Sequence, residues 1–334
     1  MELNEAEIQI VATIYSAETE KTPVDKASLD EIGKRYLDYL EDWSGAYSSL
    51  IDKGIIAGGE EGYHLTEAGR PLGLHYLEER PDNYWYYYRD FYDKAHASEA
   101  HSKFCENAFG LDLCQEGQMD MDSLHDLLDR LNLKTGQRVL DLGCGAGGIS
   151  EYISDQTGTH VTGVDYSNTA ISVAKSRTEN KNSQLKFIEA DLNKLELEPH
   201  SYDAAVSIDS IYWVHDTVDV LQKIVETLKP GGQLILTIVN IPDYCDSPEE
   251  LEIDKTFVAK ALDELKLDYQ SVDRTESFLD FWLRVKRVLS SMKEEFEQEG
   301  NEFIYQSLTR EADDEYLPAI ESGGMRRYLY HLRV

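Results

Sequence analysis

The spacing of hydrophobic positions changes twice along the chain, and each change predicts a different kind of structure. Over residues 3 to about 70 apolar side chains recur at helical intervals, first Ile8, Ile10, Val11 and Ile14, then in patterns around 29–40 and 43–51. The glycine-containing turn Lys53-Gly54-Ile55-Ile56 and the stretch from Tyr63 to Arg70 then predict a two-stranded ribbon. Residues 76–135 read as helical. From Gln137 onward short apolar runs, at 139–142, 160–165, 187–192, 203–208 and 232–239, alternate with faces of 3.6-residue period. Apolar runs of strand length between helices predict an α/β fold: a doubly wound, mostly parallel sheet with right-handed crossovers. A helix around 251–267, a polar strand at 269–275 and helical stretches at 277–299 and 302–320 follow. Arg326 to Leu332 then alternates, predicting an antiparallel last strand at a sheet edge.

The chemistry concentrates where the first of those runs ends. Arg138-Val139-Leu140-Asp141-Leu142-Gly143-Cys144-Gly145-Ala146-Gly147-Gly148 carries glycines in the pattern G-x-G-x-x-G at 143, 145 and 148. Such a turn lets a ligand approach the backbone closely before a helix begins. Asp165 ends the next strand at the distance expected of a ribose-binding acid. This much fits a nicotinamide dinucleotide and S-adenosylmethionine equally. Asp141 distinguishes them, because a carboxylate beside the turn repels a pyrophosphate and attracts the cationic amino group of a methionine moiety.

The segment Asp-Leu-Gly-Cys-Gly-Ala-Gly, 141–147, resembles the first motif of class I S-adenosylmethionine-dependent methyltransferases, E/D-x-G-x-G-x-G, and the resemblance runs in order over about 115–334. It implies a seven-stranded Rossmann-like sheet with an antiparallel last strand. It implies that Asp141 and the backbone at Gly143, Cys144 and Gly145 hold the methionyl end, and that Asp165, beside Tyr166, takes the ribose hydroxyls. Asp191, beside Leu192, would bond the adenine amino group, and Ile208 would contribute to the same pocket. The product would be S-adenosylhomocysteine. The Leu-Lys-Pro-Gly-Gly turn at 228–232 is a further hallmark of the group. Methyltransferases of this group often carry a Y-Y-D or F-Y-D segment whose tyrosine reaches the active site, which Tyr92 matches. Gln118, in Gln115-Glu116-Gly117-Gln118-Met119, occupies the place of a loop closing over the methionyl end.

In open α/β sheets ligands lie beyond the carboxyl ends of the strands, so residues 207–216, Ser-Ile-Asp-Ser-Ile-Tyr-Trp-Val-His-Asp, form the expected catalytic edge. They resemble the S-x-D-(S/T)-I-L-H segment of phosphoethanolamine and sarcosine/dimethylglycine methyltransferases, with Trp213 where the former has histidine and a histidine only at 215. The expected catalytic residues are Asp209, Tyr212 and His215. Asp209 would hold or deprotonate an amine; it or His215 would take the proton of a hydroxyl acceptor. A helix-capping role for Asp209 is the structural alternative. Trp85, Tyr88 and Trp213 are expected in the substrate pocket. On a helix Trp85, Tyr88 and Tyr92 share one face and Tyr84, Tyr87 and Phe91 another.

The resulting organisation is a winged-helix-like domain at 1–75, a helical connector and aromatic lid at 76–135, and a methyltransferase domain at 136–334 with a helical cap at about 277–320. A winged helix invites a DNA-binding regulator as a rival reading. The region 39–47, where recognition would occur, is acidic, and 64 acids against 32 bases give a formal charge of −32 that repels nucleic acid and anionic membrane. The expectation is a small polar metabolite as substrate, an amine or amino-acid-like N-acceptor ahead of an O- or S-acceptor, with no nucleic-acid or membrane partner. The small domain is read as a dimerisation arm or pocket cover, hence a homodimer. Four cysteines without C-x-x-C spacing, no metal-binding motif and no basic-apolar leader point to a cytoplasmic, metal-free protein.

Overall fold

The computed structural model describes residues 2–20, 25–36, 43–59, 62–79, 85–241 and 247–334. The chain divides into two compact units, Met1–Phe91 and Tyr92–Val334. Among the described residues no helix is long and apolar enough to cross a membrane.

The first unit holds α1 (Glu5–Glu20), α2 (Lys26–Tyr36), α3 (Trp43–Asp52), the strands β1 (Ile56–Gly59) and β2 (Gly62–Leu65), and α4 (Arg70–Glu79). Helix α1 starts at a reciprocal cap: the Asn4 side chain accepts the Glu7 amide and the Glu7 side chain accepts the Asn4 amide. The apolar positions read at helical spacing, Ile10, Val11 and Ile14, meet Leu50, Ile55 and Leu65 in one core. The two strands pair antiparallel. Part of the acidic 39–47 region lies outside the described residues, as does Tyr84.

Helix α5 (Trp85–Ala95) follows, and in the second unit α6 (Glu99–Phe109) and α7 (Met121–Leu131) precede the sheet. Its strands are β3 (Arg138–Leu142), β4 (His160–Asp165), β5 (Leu185–Glu189), β6 (Tyr202–Ile208), β7 (Leu228–Asn240), β8 (Tyr269–Asp273) and β9 (Arg326–Arg333). They lie in the order β5-β4-β3-β6-β7-β9-β8, with β3 to β7 parallel and β9 antiparallel to both neighbours. Helices α8 (Gly148–Thr157), α9 (Asn168–Arg177), α10 (Thr217–Thr227) and α11 (Phe257–Glu264) connect them. The seven-stranded, doubly wound sheet expected from the sequence is present.

Strand alternation sorts the two faces. Leu140 and Leu142 join Leu221 and Ile224 of α10 in one core, while Val139 joins Ile153 of α8 in the other. Asp141 therefore shares the face of Val139, the face that α8 covers.

One placement is corrected. The last strand is antiparallel, but β9 lies between β7 and β8, and β8 forms the edge. Tyr328, Leu329 and Tyr330 are buried in succession, which an interior strand covered on both faces requires. The helix expected at 251–267 is shorter, α11, and the 277–299 stretch breaks into α12 (Thr275–Leu289) and α13 (Lys293–Gln298). The last helical stretch consists of α14 (Glu302–Arg310), a π-helical turn at Glu311–Tyr316 and α15 (Leu317–Glu321).

Candidate active site

The glycine turn after β3 is held from three sides. Gly143 and Cys144 both donate their amides to the carbonyl of Val164 at the end of β4, at 2.8 and 3.0 Å. Ser210, just beyond β6, donates its hydroxyl to the Leu142 carbonyl at 2.7 Å and lies within 2.7 Å of the Ser207 hydroxyl. Gly143 has φ +74, and a Cβ there would come within 2.3 Å of the Ser210 Cβ. Gly145, at φ +52, would bring a Cβ within 2.4 Å of the Tyr92 hydroxyl oxygen. The turn thus admits glycine for both conformation and space.

The carboxylates sit around it. Asp141 is buried and accepts the Ser150 hydroxyl at 2.5 Å. Burial, opposed by that hydrogen bond and reinforced by Asp165, pushes its carboxyl up to about 6. Asp165, also buried, accepts the amides of Gly145 at 2.8 Å and Ser167 at 2.9 Å. Burial holds it above its ordinary value against those bonds. Asp191 is half-buried at the start of the short turn Leu192–Lys194, where one of its oxygens accepts the Asn193 amide at 2.9 Å. The Ala190 amide bonds the Asp165 carbonyl at 3.0 Å, so the two acids stand at the ends of neighbouring strands. Tyr166 and Leu192, beside them, are half-buried.

Residues 113–117 run over the glycine turn. Together with Tyr92, Asp141, Gly143–Gly145, Ile149 and Ile208 they line a cleft. The approach is close: a Cβ on Gly148 would lie 1.8 Å from the Leu113 carbonyl oxygen. Two lining residues are acids, Glu116 and Asp141, and none of the described lining residues is cationic. Burial, then the negative neighbours Glu311, Asp209 and Asp165, raise the Glu116 carboxyl well above its ordinary value. Burial likewise raises the phenol of Tyr92 and the thiol of Cys144, so both stay protonated near neutrality. A narrow bare-backbone cradle edged by two acids, with no cation among its described lining residues, suits a ligand whose ammonium and sulfonium favour the ionised form of those acids, and it opposes a pyrophosphate. S-Adenosylmethionine fits these residues.

Asp209 leaves β6 at φ +51, its amide bonded to the Thr237 carbonyl at 3.1 Å. It caps no helix; Asp216 caps α10 by accepting the Asp219 amide at 3.0 Å. The Asp209 carboxylate instead forms a buried ion pair with Arg327 of β9, Nη2 to Oδ2 at 2.8 Å, and accepts the Gln118 amide at 3.2 Å. Gln118 donates its side-chain amide to the Tyr316 hydroxyl at 2.6 Å, and its carbonyl accepts Arg327 Nη1 at 3.3 Å. Tyr316 stacks on Trp282 with centroids 4.2 Å apart, which brings α12 and the π-helical turn to this network.

Several expected residues meet here and others do not. Asp141, Gly143, Cys144, Gly145, Tyr92 and Ile208 line one cleft, and Gln118 and Asp209 adjoin it through the 113–117 segment. Tyr212 and Trp213 pack edge to face at 5.3 Å, half-buried, on a short turn after Asp209. His215 is exposed, its amide given to the Asn193 side chain at 2.7 Å. Tyr88 belongs to the first unit, beside the Tyr87 ring, and the side chain of Trp85 lies outside the described residues. The sequence reading missed Ser150, Ser210, Glu116, Tyr316 and Arg327.

Residues 139–232 match the family model described as a methyltransferase domain. Phosphoethanolamine N-methyltransferase 2 of Caenorhabditis elegans is 29% identical over 237 residues, 68% of this chain and 52% of that protein. An O-methyltransferase of Aspergillus nomiae is 34% identical over 125 residues, 37% of this chain and 56% of that protein. The chain thus spans about half the length of these curated relatives. Among solved structures, phosphoethanolamine N-methyltransferase 2 of Haemonchus contortus, in complex with phosphomonomethylethanolamine and S-adenosylhomocysteine, superposes with a TM-score of 0.61 at 24% identity. That match covers 74% of this chain and 60% of that one. A Galdieria sulphuraria protein described as a sarcosine dimethylglycine methyltransferase gives 0.52 at 16% identity, over 64% and 84% of the two chains. By motif, fold and relatives, the chain carries a class I S-adenosylmethionine-dependent methyltransferase domain.

Proposed function

We propose that the protein methylates a small polar metabolite, with an amine as acceptor. The observation that carries this reading is the cleft over the glycine turn, which presents Glu116 and Asp141 and, among its described lining residues, no cation. An environment of that sign favours a cationic ligand group. S-Adenosylmethionine, when bound, supplies a methyl group on a sulfonium. Asp141 and the amides of the turn would hold its methionyl end, and Asp165 and Asp191 its adenosine. Tyr92, protonated and packed against Gly145, narrows the cleft and excludes water, which favours in-line transfer between aligned groups. Asp209, at the carboxyl end of β6, would face the acceptor and orient its ammonium.

The N-methyltransferase relatives support the amine; the Aspergillus nomiae relative supports an oxygen acceptor as the second reading. The first unit, in which α1, α2 and α3 precede a two-stranded ribbon and α4 follows it, is read as a winged-helix-like arm for dimerisation or cover, and the setting as cytoplasmic. Incubating the full chain with tritiated S-adenosylmethionine and separate panels of small amines, alcohols and thiols tests the proposal. Labelled product from the amine panel supports it, and label confined to alcohols or thiols overturns the choice of acceptor. No binding of S-adenosylhomocysteine in calorimetry overturns the reading altogether.

A further inference from the structure

Arg327 has its side chain 5% exposed, on a strand inside the sheet. Its guanidinium is used on three sides. Nη2 reaches Asp209, Nη1 reaches the Gln118 carbonyl oxygen, and the face lies over the Phe278 ring, 5.0 Å from its centroid. The two polar partners belong to different parts of the site. Asp209 stands at the edge where an acceptor would bind, one residue before Ser210, which abuts Gly143. Gln118 directly follows the 113–117 segment that lines the cofactor cleft. These partners also bond each other, Gln118 N–H to Asp209 Oδ2. A planar, forked cation can serve two acceptors at once in fixed geometry, which a lysine ammonium on a flexible stem does not reproduce.

We propose that Arg327 is a positioning residue that fastens the 113–118 segment to the acceptor edge, so that the cofactor cleft and the acceptor site are set by one buried fork. This rests on the methyltransferase reading above, and it gives Gln118 a task different from touching the cofactor: its side chain is spent on Arg327 and Tyr316. The left-handed backbone at Asp209 has the same explanation, since a non-glycine residue at φ +51 persists only where its surroundings hold it. Four bonds hold it: its amide donates to the Thr237 carbonyl, and its carboxylate accepts from Arg327, from the Gln118 amide and from the Thr237 hydroxyl.

The test uses the full chain, with S-adenosylhomocysteine binding read by calorimetry and amide hydrogen exchange read over residues 112–118. Arg327→Gln is expected to weaken binding at least tenfold and to speed exchange in that segment, with circular dichroism unchanged. Arg327→Lys should recover binding only in part. Gln118→Ala should act in the same direction, and adding it to Arg327→Gln should cost less than a further twofold, because both act through one fork. A folded Arg327→Gln variant that binds within twofold of the parent overturns the proposal, as do independent, multiplying losses in the double variant. Should Arg327→Gln fail to fold, Gln118→Ala decides: unchanged affinity together with unchanged exchange over 112–118 overturns it. Failure of the parent to bind S-adenosylhomocysteine overturns the methyltransferase reading as well, which keeps the two failures distinct.

Discussion

Replacing Asp141 with asparagine should make the ligand-free protein more stable at neutral pH while weakening its hold on S-adenosylhomocysteine. Burial has moved this carboxyl from its ordinary 3.8 to about 6, despite the Ser150 hydrogen bond. A shift of about two units corresponds to about 3 kcal/mol against the ionised form in the folded chain. Asparagine keeps the shape and the acceptor for Ser150 but not the charge; the weaker, neutral hydrogen bond returns about 1 kcal/mol. The net gain is about 2 kcal/mol above pH 7, roughly 4–8 °C in melting temperature for a unit of this size. The pH dependence follows from linkage. The folded chain binds the Asp141 proton more tightly than the unfolded chain does, so the parent is unpenalised below 3.8 and fully penalised above about 6. The advantage of the variant should therefore be present at pH 8 and nearly gone at pH 4. Urea denaturation of both proteins at the two pH values measures this, and calorimetry supplies the other half: an ammonium in the cleft compensates the charge, so the parent gains more from ligand than the variant does. An Asp141→Asn protein less stable than the parent at pH 8, or stabilised equally at both pH values, would refute the reasoning.

Gly145→Ala should reduce S-adenosylhomocysteine affinity by at least tenfold, because the added methyl would sit 2.4 Å from the Tyr92 oxygen at a left-handed backbone position; isothermal titration reads it. Gly148→Ala should do likewise by displacing residues around Leu113, whose carbonyl oxygen would lie 1.8 Å from the new carbon, and should raise proteolytic sensitivity between Leu111 and Gln118. His215→Ala should leave turnover on any acceptor within threefold, since the side chain is exposed. A hundredfold loss in that variant would restore His215 as the proton acceptor. Asp209→Ala should destabilise the chain by about 3–5 kcal/mol in thermal unfolding, by leaving Arg327 buried without its partner.

The parts of the molecule that rest on local pattern were legible in the sequence. Apolar runs and intervening helical faces predict the parallel sheet, and the glycine pattern predicts the tight turn that Asp141 and Asp165 flank, because each strand end and turn is specified by neighbours a few residues away. What depended on distant pairing was not legible. Alternation in 326–332 suggested an edge, yet β9 is interior, since the order of the last strands is decided by which partner covers β7. Arg327 escaped notice because Asp209 is 118 residues away in the chain. A signal was available nonetheless: two adjacent arginines open an apolar strand, so their side chains face opposite sides, and the one directed inward needs an anionic partner. Glu116 was read only as part of a loop, although an acid two residues before Gln118 matched the logic already applied to Asp141. His215 fitted a sequence pattern but not the space, because the turn at Ile211–Trp213 leaves it exposed.

The interior placement of β9 also constrains when the site can exist. Until residues 326–333 have been synthesised, β7 and β8 have no bridge between them and Asp209 lacks its ion pair with Arg327. A nascent chain can form the glycine turn early, but the carboxyl end of β6 acquires its buried ion pair only after synthesis has passed Arg327. An incomplete product would then present a half-built sheet with two exposed strand flanks, a species prone to aggregate rather than one able to methylate indiscriminately.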